Sequence, residues 1–292
     1  MRLAVVGHVE WVEFARVERP PRAGEILHVV STWEEPAGGG VVAAAEFARL
    51  AGGAVLFTAL GHDELGRRAP QDLQRLGVTV YAATRPRPTR RAFTFLDDAG
   101  ERTITTIGER LAPSGSDPLP WDELRSADAV YFTAGDGAAL QAARHARVLV
   151  ATSRVLTALA GIRLDALVGS ARDPRESYRP GELDPPPELA VLTEGPSGGR
   201  FWTAGGHEGR FEPAPPPGPP ADAYGAGDSF AAGLTYALAA GRSPDEALRF
   251  AAERGALAMT RRGANGTSDE DRRASGGSSG PSASEDPADA EE

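Results

Sequence analysis

The stretch PPADAYGAGDSFAAGLTYALAAG, residues 219–241, places Gly-Ala-Gly-Asp directly before a smooth apolar run of helical composition. Glycine at 225 and 227 leaves the backbone free to bend and lets a bulky anion approach main-chain N–H groups. The first N–H groups of a helix have no internal partner, and the helix dipole adds partial positive charge there. The stretch therefore predicts an anion hole built from the amides of Gly225, Ala226 and Gly227, which holds phosphate without lysine.

Asp228 is the one carboxylate at this helix start. A carboxylate beside a phosphate site repels an anion, so its position suits a neutral hydroxyl group better. There Asp228 would accept the proton of a hydroxyl that attacks phosphorus, while the adjacent amides stabilise charge on the transferring group. The alternative is that Asp228 only caps the helix and that the glycines only form a turn.

Short β-branched or aromatic runs alternate with helical patterns along the chain. Several of these runs are continuously apolar, as expected for strands that helices bury on both faces. The alternation predicts an α/β fold with a central, mostly parallel sheet and helices on both faces. The predicted strands are 3–7, 26–30, 54–60, 92–97, 103–107, 129–135, 147–152, 165–169 and 189–195.

Helix boundaries are visible at several positions. A glycine pair ends the helical pattern over 39–53. Asp63 is the predicted N-cap of a helix within 62–78, where apolar residues recur at helical spacing. A further helix begins at Ser243, with Glu246 three residues later in the spacing of a capping box.

Two segments interrupt the alternation of strands and helices. Residues 8–35 contain a strand-like stretch, and residues 88–107 form a predicted hairpin that turns at Ala99 and Gly100. Neither segment has a crossover helix. They predict a small antiparallel flap, or lid, on the edge of the main sheet, and the alternative is a pair of ordinary edge hairpins.

Composition bounds the domain organisation and excludes several functional classes. Residues 1–266 are expected to form one domain, whereas 267–292 are rich in Ser, Gly, Asp and Glu and predict a disordered acidic tail. The chain has no cysteine and no lysine, which excludes disulfides, Cys-zinc sites, a Walker A loop, a protein-kinase site and a pyridoxal Schiff base. Its net charge of −10 gives no support for nucleic-acid binding. Without a long apolar run or signal core, we expect no membrane partner and a cytoplasmic location.

The segment DAYGAGDSF, residues 222–230, resembles the signature Asp-Thr-x-Gly-Ala-Gly-Asp-x-Phe of the ribokinase-like (pfkB-type) sugar kinase family. The resemblance covers residues 1–266, and because its motifs occur in the family's order, the set is specific. Those motifs are VVG at 5–7, GGG at 38–40, GHDELG at 61–66, DDAGERT at 97–103, LTEGPSGG at 192–199 and TRRGA at 260–264.

This resemblance implies ATP-dependent phosphorylation of a hydroxymethyl group on a sugar or nucleoside. It implies Mg²⁺ and, as in part of the family, a monovalent cation such as K⁺. Asp228 would be the base. The implied binding residues are Thr193, Gly195, Gly198 and Gly263 for the nucleotide, Gly38 and Gly39 for the substrate, and Asp222 and Asp173 for metal. Simple turn chemistry is the alternative for the nucleotide-loop residues.

The chain departs from the family pattern at its substrate contacts. The family's sugar-binding aspartate falls on Val12, and the nearby Glu10 and Glu13 are either substitutes that bind substrate or solvated flap charges. The asparagine of the Gly-Gly loop falls on Ala43, and the signature threonine on Ala223. A buried hydroxyl that loses its partner costs about 1–3 kcal/mol, so these losses predict a different or less hydroxylated acceptor.

The metal motif is altered as well. The family's Asn-x-x-Glu follows the strand predicted at 165–169, where this chain is read as Ser170 to Asp173. In that interpretation the asparagine and the glutamate are both absent, and Asp173 keeps one carboxylate.

Three functions stay open on the sequence alone. The first is a small-molecule kinase. The second is a catalytically weak nucleotide- or metabolite-binding relative that acts as a sensor or partner module. The third is a dinucleotide-dependent dehydrogenase, which the VVGHVEWVEF of residues 5–14 disfavours because it lacks Gly-x-Gly-x-x-Gly. The resemblance also implies a homodimer formed through the lid.

Overall fold

The structure, a computed structural model, describes residues 1–98 and 100–266. Ala99 in the predicted turn and the predicted disordered tail, 267–292, lie outside the described residues.

The large sheet has nine strands, and seven of them run parallel. The parallel strands are β1 (Leu3–Val6), β4 (Ala54–Gly61), β5 (Val78–Arg85), β8 (Ala129–Phe132), β9 (Val148–Thr152), β10 (Ala166–Ser170) and β11 (Leu189–Thr193). Two antiparallel strands, β12 (Gly199–Thr203) and β13 (Glu208–Phe211), complete one edge. The order β13-β12-β11-β10-β9-β8-β1-β4-β5 confirms the predicted, mostly parallel sheet.

The lid is a separate four-stranded sheet. Its strands are β2 (Glu10–Arg16), β3 (Ser31–Ala37), β6 (Arg91–Leu96) and β7 (Arg102–Ile107), in the order β3-β2-β6-β7. The pairs β2–β3 and β6–β7 are antiparallel, as predicted, but the central pair β2–β6 is parallel, so the prediction of an all-antiparallel flap is wrong. Both inner strands leave the main sheet in the same direction, which makes them parallel where they meet.

The predicted strand at 26–30 is also wrong, because β3 begins only at Ser31. The β2–β3 register pairs Arg16 with Ser31, so its continuation would set Leu27 and Ile26 opposite Pro20 and Pro21. Proline has no N–H group to donate to a ladder, so the ladder, which ends at the Arg16–Ser31 pair, cannot extend over the whole of the predicted strand.

Five helices cover the main sheet. They are α1 (Gly39–Ala51), α2 (Glu64–Arg75), α3 (Gly137–Ala143), α4 (Ala226–Ala239) and α5 (Pro244–Ala258). The side chain of Asp63 accepts the amide of Gly66 at 2.8 Å, which confirms the predicted N-cap of α2. Ser243 and Glu246 form the predicted capping box at the start of α5.

Strand β1 shows that both faces of the sheet are buried. Leu3 and Val5 belong to the apolar cluster beneath α1, α4 and α5, whereas Ala4 and Val6 belong to the cluster on the α3 side. This alternation explains why the strand reads as continuously apolar. Within the two described ranges, no helix combines the length and the apolar character needed to cross a bilayer.

Glu46 of α1 is fully buried, and three arginine side chains surround its carboxylate. Arg49 donates at 3.3 Å and Arg261 at 2.8 Å, and Arg254 of α5 donates to the other oxygen. Burial would raise the pKa of Glu46, but the hydrogen bonds from Arg254 and Arg261 hold it below its ordinary value. The charged cluster therefore ties α1 to α5 and to the chain that follows α5.

Candidate active site

The starts of α1 and α4 meet near the carboxyl edge of the main sheet, and glycine permits the approach. Gly225, the N-cap of α4, has a left-handed φ of 73°, and a Cβ there would lie 2.8 Å from the Val42 side chain of α1. A Cβ on Gly39 would lie 2.8 Å from Oδ1 of Asp228. The Asp228 carboxyl group thus lies directly against the first turn of α1.

Asp228 is the third residue of α4, so the alternative that it is the N-cap is wrong. Within the described chain its half-buried side chain has no hydrogen bond and no ion pair. Burial, reinforced by the charge of Glu176, raises the pKa of Asp228 to about 6, against the opposing charges of Arg154, Arg102 and Arg110. The site therefore holds a carboxylate that is unpartnered and ionised at neutral pH.

The amides beside Asp228 are open. Helix α4 has no side-chain cap, and in the described parts of the chain the amides of Gly227 and Asp228 find no backbone acceptor. The amide of Ala226 makes only a long, 3.5 Å contact with the carbonyl of Ala223. These N–H groups and the helix dipole form a site suited to an anion.

Gly38 and Glu10 lie together next to this centre. Gly38 has a φ of 92°, and a Cβ on it would lie 3.2 Å from the His8 ring. Nε2 of His8 is 3.1 Å from Oε1 of Glu10, whereas Nδ1 is buried without a partner. Burial lowers the pKa of His8. Burial would raise the pKa of Glu10, but the His8 hydrogen bond and the charges of Arg90 and Arg110 hold it below its ordinary value.

Glu13 lies apart from Glu10. Side chains alternate along a strand, so Glu13 of β2 is on the lid face opposite to that of Glu10. Its carboxylate is 44% exposed and lies 4.0 Å from the Arg91 guanidinium. Val12 and Ala43, at the positions of the missing sugar contacts, are buried in apolar clusters.

Two arginines that sequence reasoning missed, Arg90 and Arg110, interact with the charge of Glu10. Nη1 of Arg90 lies 3.8 Å from Oε1 of Glu10, and the Nε atoms of Arg90 and Arg110 are both buried without a hydrogen-bond partner. Burial, and then the charge of Arg90, lowers the pKa of Arg110. In a chain without lysine, any side-chain cation of a binding site other than histidine is an arginine, and this was the available signal.

The residues predicted to bind nucleotide lie in different settings. Thr193 ends β11, and its hydroxyl donates to the carbonyl of Gly169 at 3.2 Å. Gly195 follows with a φ of 63°, and its Cβ position lies 3.0 Å from the Arg172 guanidinium. Gly198 is required for packing, because a Cβ there would lie 2.0 Å from the Phe211 carbonyl oxygen.

Gly263 and Asp222 are joined by a hydrogen bond. The amide of Gly263, at a φ of 68°, donates to Asp222 at 2.7 Å, and the amide of Tyr224 donates to the other carboxylate oxygen at 2.7 Å. Burial raises the pKa of Asp222. Both oxygens are occupied, so Asp222 fixes the Gly263 turn against the loop before α4.

Asp173 is also engaged, and sequence reasoning missed its partners. Nη2 of Arg154 lies 2.8 Å from Oδ2 of Asp173, and Nε of Arg154 lies 2.9 Å from Oε1 of Glu176. Asp173 and Glu176 have the Asn-x-x-Glu spacing with aspartate in the first place, so the interpretation that the glutamate is absent is wrong. Arg154 donates to one oxygen of each carboxylate, and Arg175 donates to the other oxygen of Asp173. Because residues 1–98 and 100–266 also contain no group of three potential metal ligands, the donor set does not fit a divalent cation held by protein groups alone.

Comparison with known proteins places this chain in a family. The sequence model described as pfkB family carbohydrate kinase matches residues 1–180 and, in a second match, 164–271. The ATP-dependent ribose-1-phosphate kinase of Halopiger xanaduensis is 27% identical over an alignment of 299 positions that covers 90% of this chain and 94% of that relative.

Solved structures share the fold. The Arabidopsis thaliana ribokinase complexed with ribose and ATP has a TM-score of 0.67 at 20% identity, with 92% of this chain and 96% of that chain covered. Adenosine kinase from Sinorhizobium meliloti has a TM-score of 0.72 at 19% identity, with 94% and 98% covered. The ribokinase-like fold predicted from the motifs is therefore confirmed, and this chain belongs to the pfkB family of carbohydrate kinases.

Proposed function

We propose that this protein transfers the terminal phosphoryl group of ATP to a hydroxymethyl group of a sugar or nucleoside-like small molecule, with Asp228 as the base. The acceptor oxygen forms a bond to the terminal phosphorus as its proton passes to the Asp228 carboxylate. The bond from that phosphorus to the bridging oxygen breaks, and its electron pair stays on ADP. The amides at the start of α4 stabilise the charge on the transferring group.

The observation that carries this proposal is the state of Asp228. A carboxylate with a pKa of about 6 is ionised at neutral pH yet basic enough to take a proton. It lies in the first turn of the helix whose open amides suit an anion, so the acceptor hydroxyl and the transferring phosphoryl group could be bound side by side. A protein that only binds nucleotide has no use for such an unpartnered carboxylate.

ATP is the proposed donor, with Thr193 and Gly195 on its side of the site and Gly38 and Gly39 on the acceptor side. Magnesium would enter with the nucleotide, since Arg154 already donates to one oxygen each of Asp173 and Glu176. When bound, that ion would offset charge on the ATP phosphates, in addition to the amides at the start of α4. Asp222 is proposed to hold the Gly263 turn, since both of its oxygens accept backbone amides.

The acceptor is proposed to carry a phosphate group. Arg90 and Arg110 present two buried Nε–H groups without partners, and a buried donor left unpaired costs about 1–3 kcal/mol. A phosphate ester satisfies both, because arginine matches phosphate geometry. Because His8 is neutral and its Nε2 faces Glu10, Nδ1 can accept a hydrogen bond from a sugar hydroxyl group. The relative from Halopiger xanaduensis is named for ribose 1-phosphate, which has this chemistry.

ADP release over a panel of pentoses, pentose 1-phosphates and nucleosides tests the proposal, with wild type, Asp228→Asn and Arg90→Gln compared. Asp228→Asn should lower kcat by about 10²–10⁴-fold. Arg90→Gln should lower kcat/KM for the phosphorylated acceptors selectively. Equal background rates for wild type and Asp228→Asn, together with tight ATP binding, would instead support the alternative of a catalytically weak binding module.

We also propose that a second copy of the chain covers the lid. Every residue of the edge strand β7 is exposed, and five of the six exposed large hydrophobic residues in the described chain lie in or beside the lid strands. Those five are Ile26, Val29, Val30, Ile104 and Ile107. Light scattering should show a dimer that Ile104→Asp converts to a monomer, and a monomeric wild type would contradict this proposal.

A further inference from the structure

We propose that Arg154 is a further catalytic residue, which contacts the transferring phosphoryl group and supplies a fixed positive charge there. The proposal rests on the proposed function, because it places Arg154 at the phosphoryl group that Asp228 and the amides of α4 handle. It concerns the side of the site formed by the main sheet, opposite the acceptor-binding arginines of the lid.

The topology brings Arg154 to the reaction centre. Arg154 lies in a 3₁₀ segment, Ser153–Ala158, which directly follows the carboxyl end of β9. Helix α4, which carries Asp228, packs against β8 and β9. The carboxyl ends of parallel strands share one edge of a sheet, and ligands bind there in folds of this class. This placement agrees with the charge of Arg154 lowering the pKa of Asp228.

Neighbouring groups hold the Arg154 guanidinium in one orientation. Its Nε donates to Glu176 at 2.9 Å and its Nη2 to Asp173 at 2.8 Å. The backbone of Glu176 is itself fixed, because Ser153 donates to its carbonyl at 2.6 Å. Nη1 has no partner in the described chain and is not among the buried unpaired atoms. One N–H pair of a pre-oriented guanidinium is thus left to face a ligand.

Two other arginines lower the pKa of Asp228, and both belong to the lid side. Arg102 is in β7 and donates to the carbonyl of Ala223, and Arg110 follows the end of β7. Of the three, Arg154 alone is fixed on the main sheet, where the nucleotide loop after β11 begins. Because the chain has no lysine, Arg154 is a group of the main sheet that can offset charge on the transferring phosphoryl group, and it is the main-sheet arginine whose charge acts on Asp228.

Arg154→Gln and Arg154→Lys test the role, with Arg175→Gln as the matched control. Arg175→Gln removes the same charge as Arg154→Gln, and Arg175 also contacts Asp173, but the Arg175 side chain is 80% exposed. We expect Arg154→Gln to lower kcat by about 100- to 1,000-fold, as loss of one preorganised donor does. Lysine keeps the charge but cannot reach both carboxylates, so Arg154→Lys should recover only part of the activity. Arg175→Gln should stay within about threefold of wild type.

Three further readouts separate a catalytic role from a structural one. The affinity for ADP, measured by calorimetry, should be nearly unchanged in Arg154→Gln. Added guanidinium at non-denaturing concentration should restore part of kcat. Because Arg154 lowers the pKa of Asp228 while Glu176 raises it, loss of Arg154 should move the acid limb of the pH–rate profile to higher pH.

Activity of Arg154→Gln within about threefold of wild type would overturn the proposal. So would a loss of kcat that is matched by Arg175→Gln, or one that comes with lost ADP binding and no rescue by guanidinium. Normal wild-type transfer together with any of these results leaves the proposed function intact. A wild type that transfers no phosphoryl group to any acceptor would overturn the proposed function, and this proposal with it.

Discussion

Glu46 and Asp228 are acidic residues on two helices that pack together, and both have arginines around them. Three arginine side chains donate directly to Glu46, whereas none donates to Asp228 in the described structure. Burial acts to raise the pKa of both groups. Hydrogen bonds reverse that effect at Glu46, but at Asp228 the arginines act only through space, and the pKa rises to about 6.

The comparison shows that an arginine charge near a carboxylate does not have the same effect as an arginine that donates a hydrogen bond to it. A saturated carboxylate stabilises the fold and has no basicity left to use at neutral pH. An unpartnered carboxylate in a similar setting weakens the fold but can accept a proton. Four variants sharpen this contrast.

Glu46→Gln should give the largest effect. It leaves three arginines around a neutral amide, and breaking a buried ion pair from one side costs about 3–5 kcal/mol of unfolding free energy. Urea unfolding at neutral pH measures this. The control is Glu64→Gln, since Glu64 forms an exposed pair with Arg67 and should lose less than about 1 kcal/mol. Equal losses in the two variants would contradict the structural role of Glu46.

Gly39→Ala should have the second-largest effect, and this effect should be on activity and not on stability. The added methyl group would lie 2.8 Å from Oδ1 of Asp228, so the carboxylate must move. Displacement of a catalytic group by about 1 Å costs up to roughly 100-fold in rate, and kcat should fall accordingly. Gly53→Ala, whose new methyl group meets only the Gly77 carbonyl at an ordinary 3.7 Å, should leave kcat unchanged.

Asp228→Asn should stabilise the protein at neutral pH. The pKa of Asp228 is raised from 3.8 to about 6 in the folded state, so its ionised form destabilises the fold above that pH. Allowing for its partial exposure, we expect a gain of about 1–2 kcal/mol. The gain should shrink as the pH falls through about 6 and vanish near the unfolded value of about 4. Thermal melting across this range would contradict the assignment if the variant were less stable throughout.

Glu176→Gln should give the smallest effect. The charge of Glu176 raises the pKa of Asp228, so its removal should move the acid limb of kcat/KM to lower pH, by less than about one unit. Glu188→Gln is the control, since Glu188 pairs with Arg163 at the protein surface. An acid limb that moves to higher pH in Glu176→Gln would show that the base is not Asp228.

The main elements of the fold could be predicted because their signals are local. Strand β1 is apolar on both faces, and the cap residues Asp63 and Ser243 mark the starts of α2 and α5. The strand predicted at 26–30 failed because its apolar residues gave a strand signal, whereas the β2–β3 ladder ends at the Arg16–Ser31 pair. Strand β5 was missed because its burial is only partial along much of its length.

The candidate site divides in the same way. Asp228 and its amides lie within four residues of each other, so the sequence alone places them together. Arg90, Arg110 and Arg154 come from separate loops, and only the sheet topology brings them to one edge. Glu176 could have been predicted from the sequence, because it follows Asp173 at the spacing of the family's Asn-x-x-Glu motif.

The lid sheet is attached to the body by four chain crossings, since β2–β3 and β6–β7 each enter and leave it once. Three of these crossings contain His8, Gly38 and Arg90, which border the proposed acceptor site. A rigid-body movement of the lid relative to the main sheet would therefore also displace these residues, so lid position and acceptor affinity would be coupled.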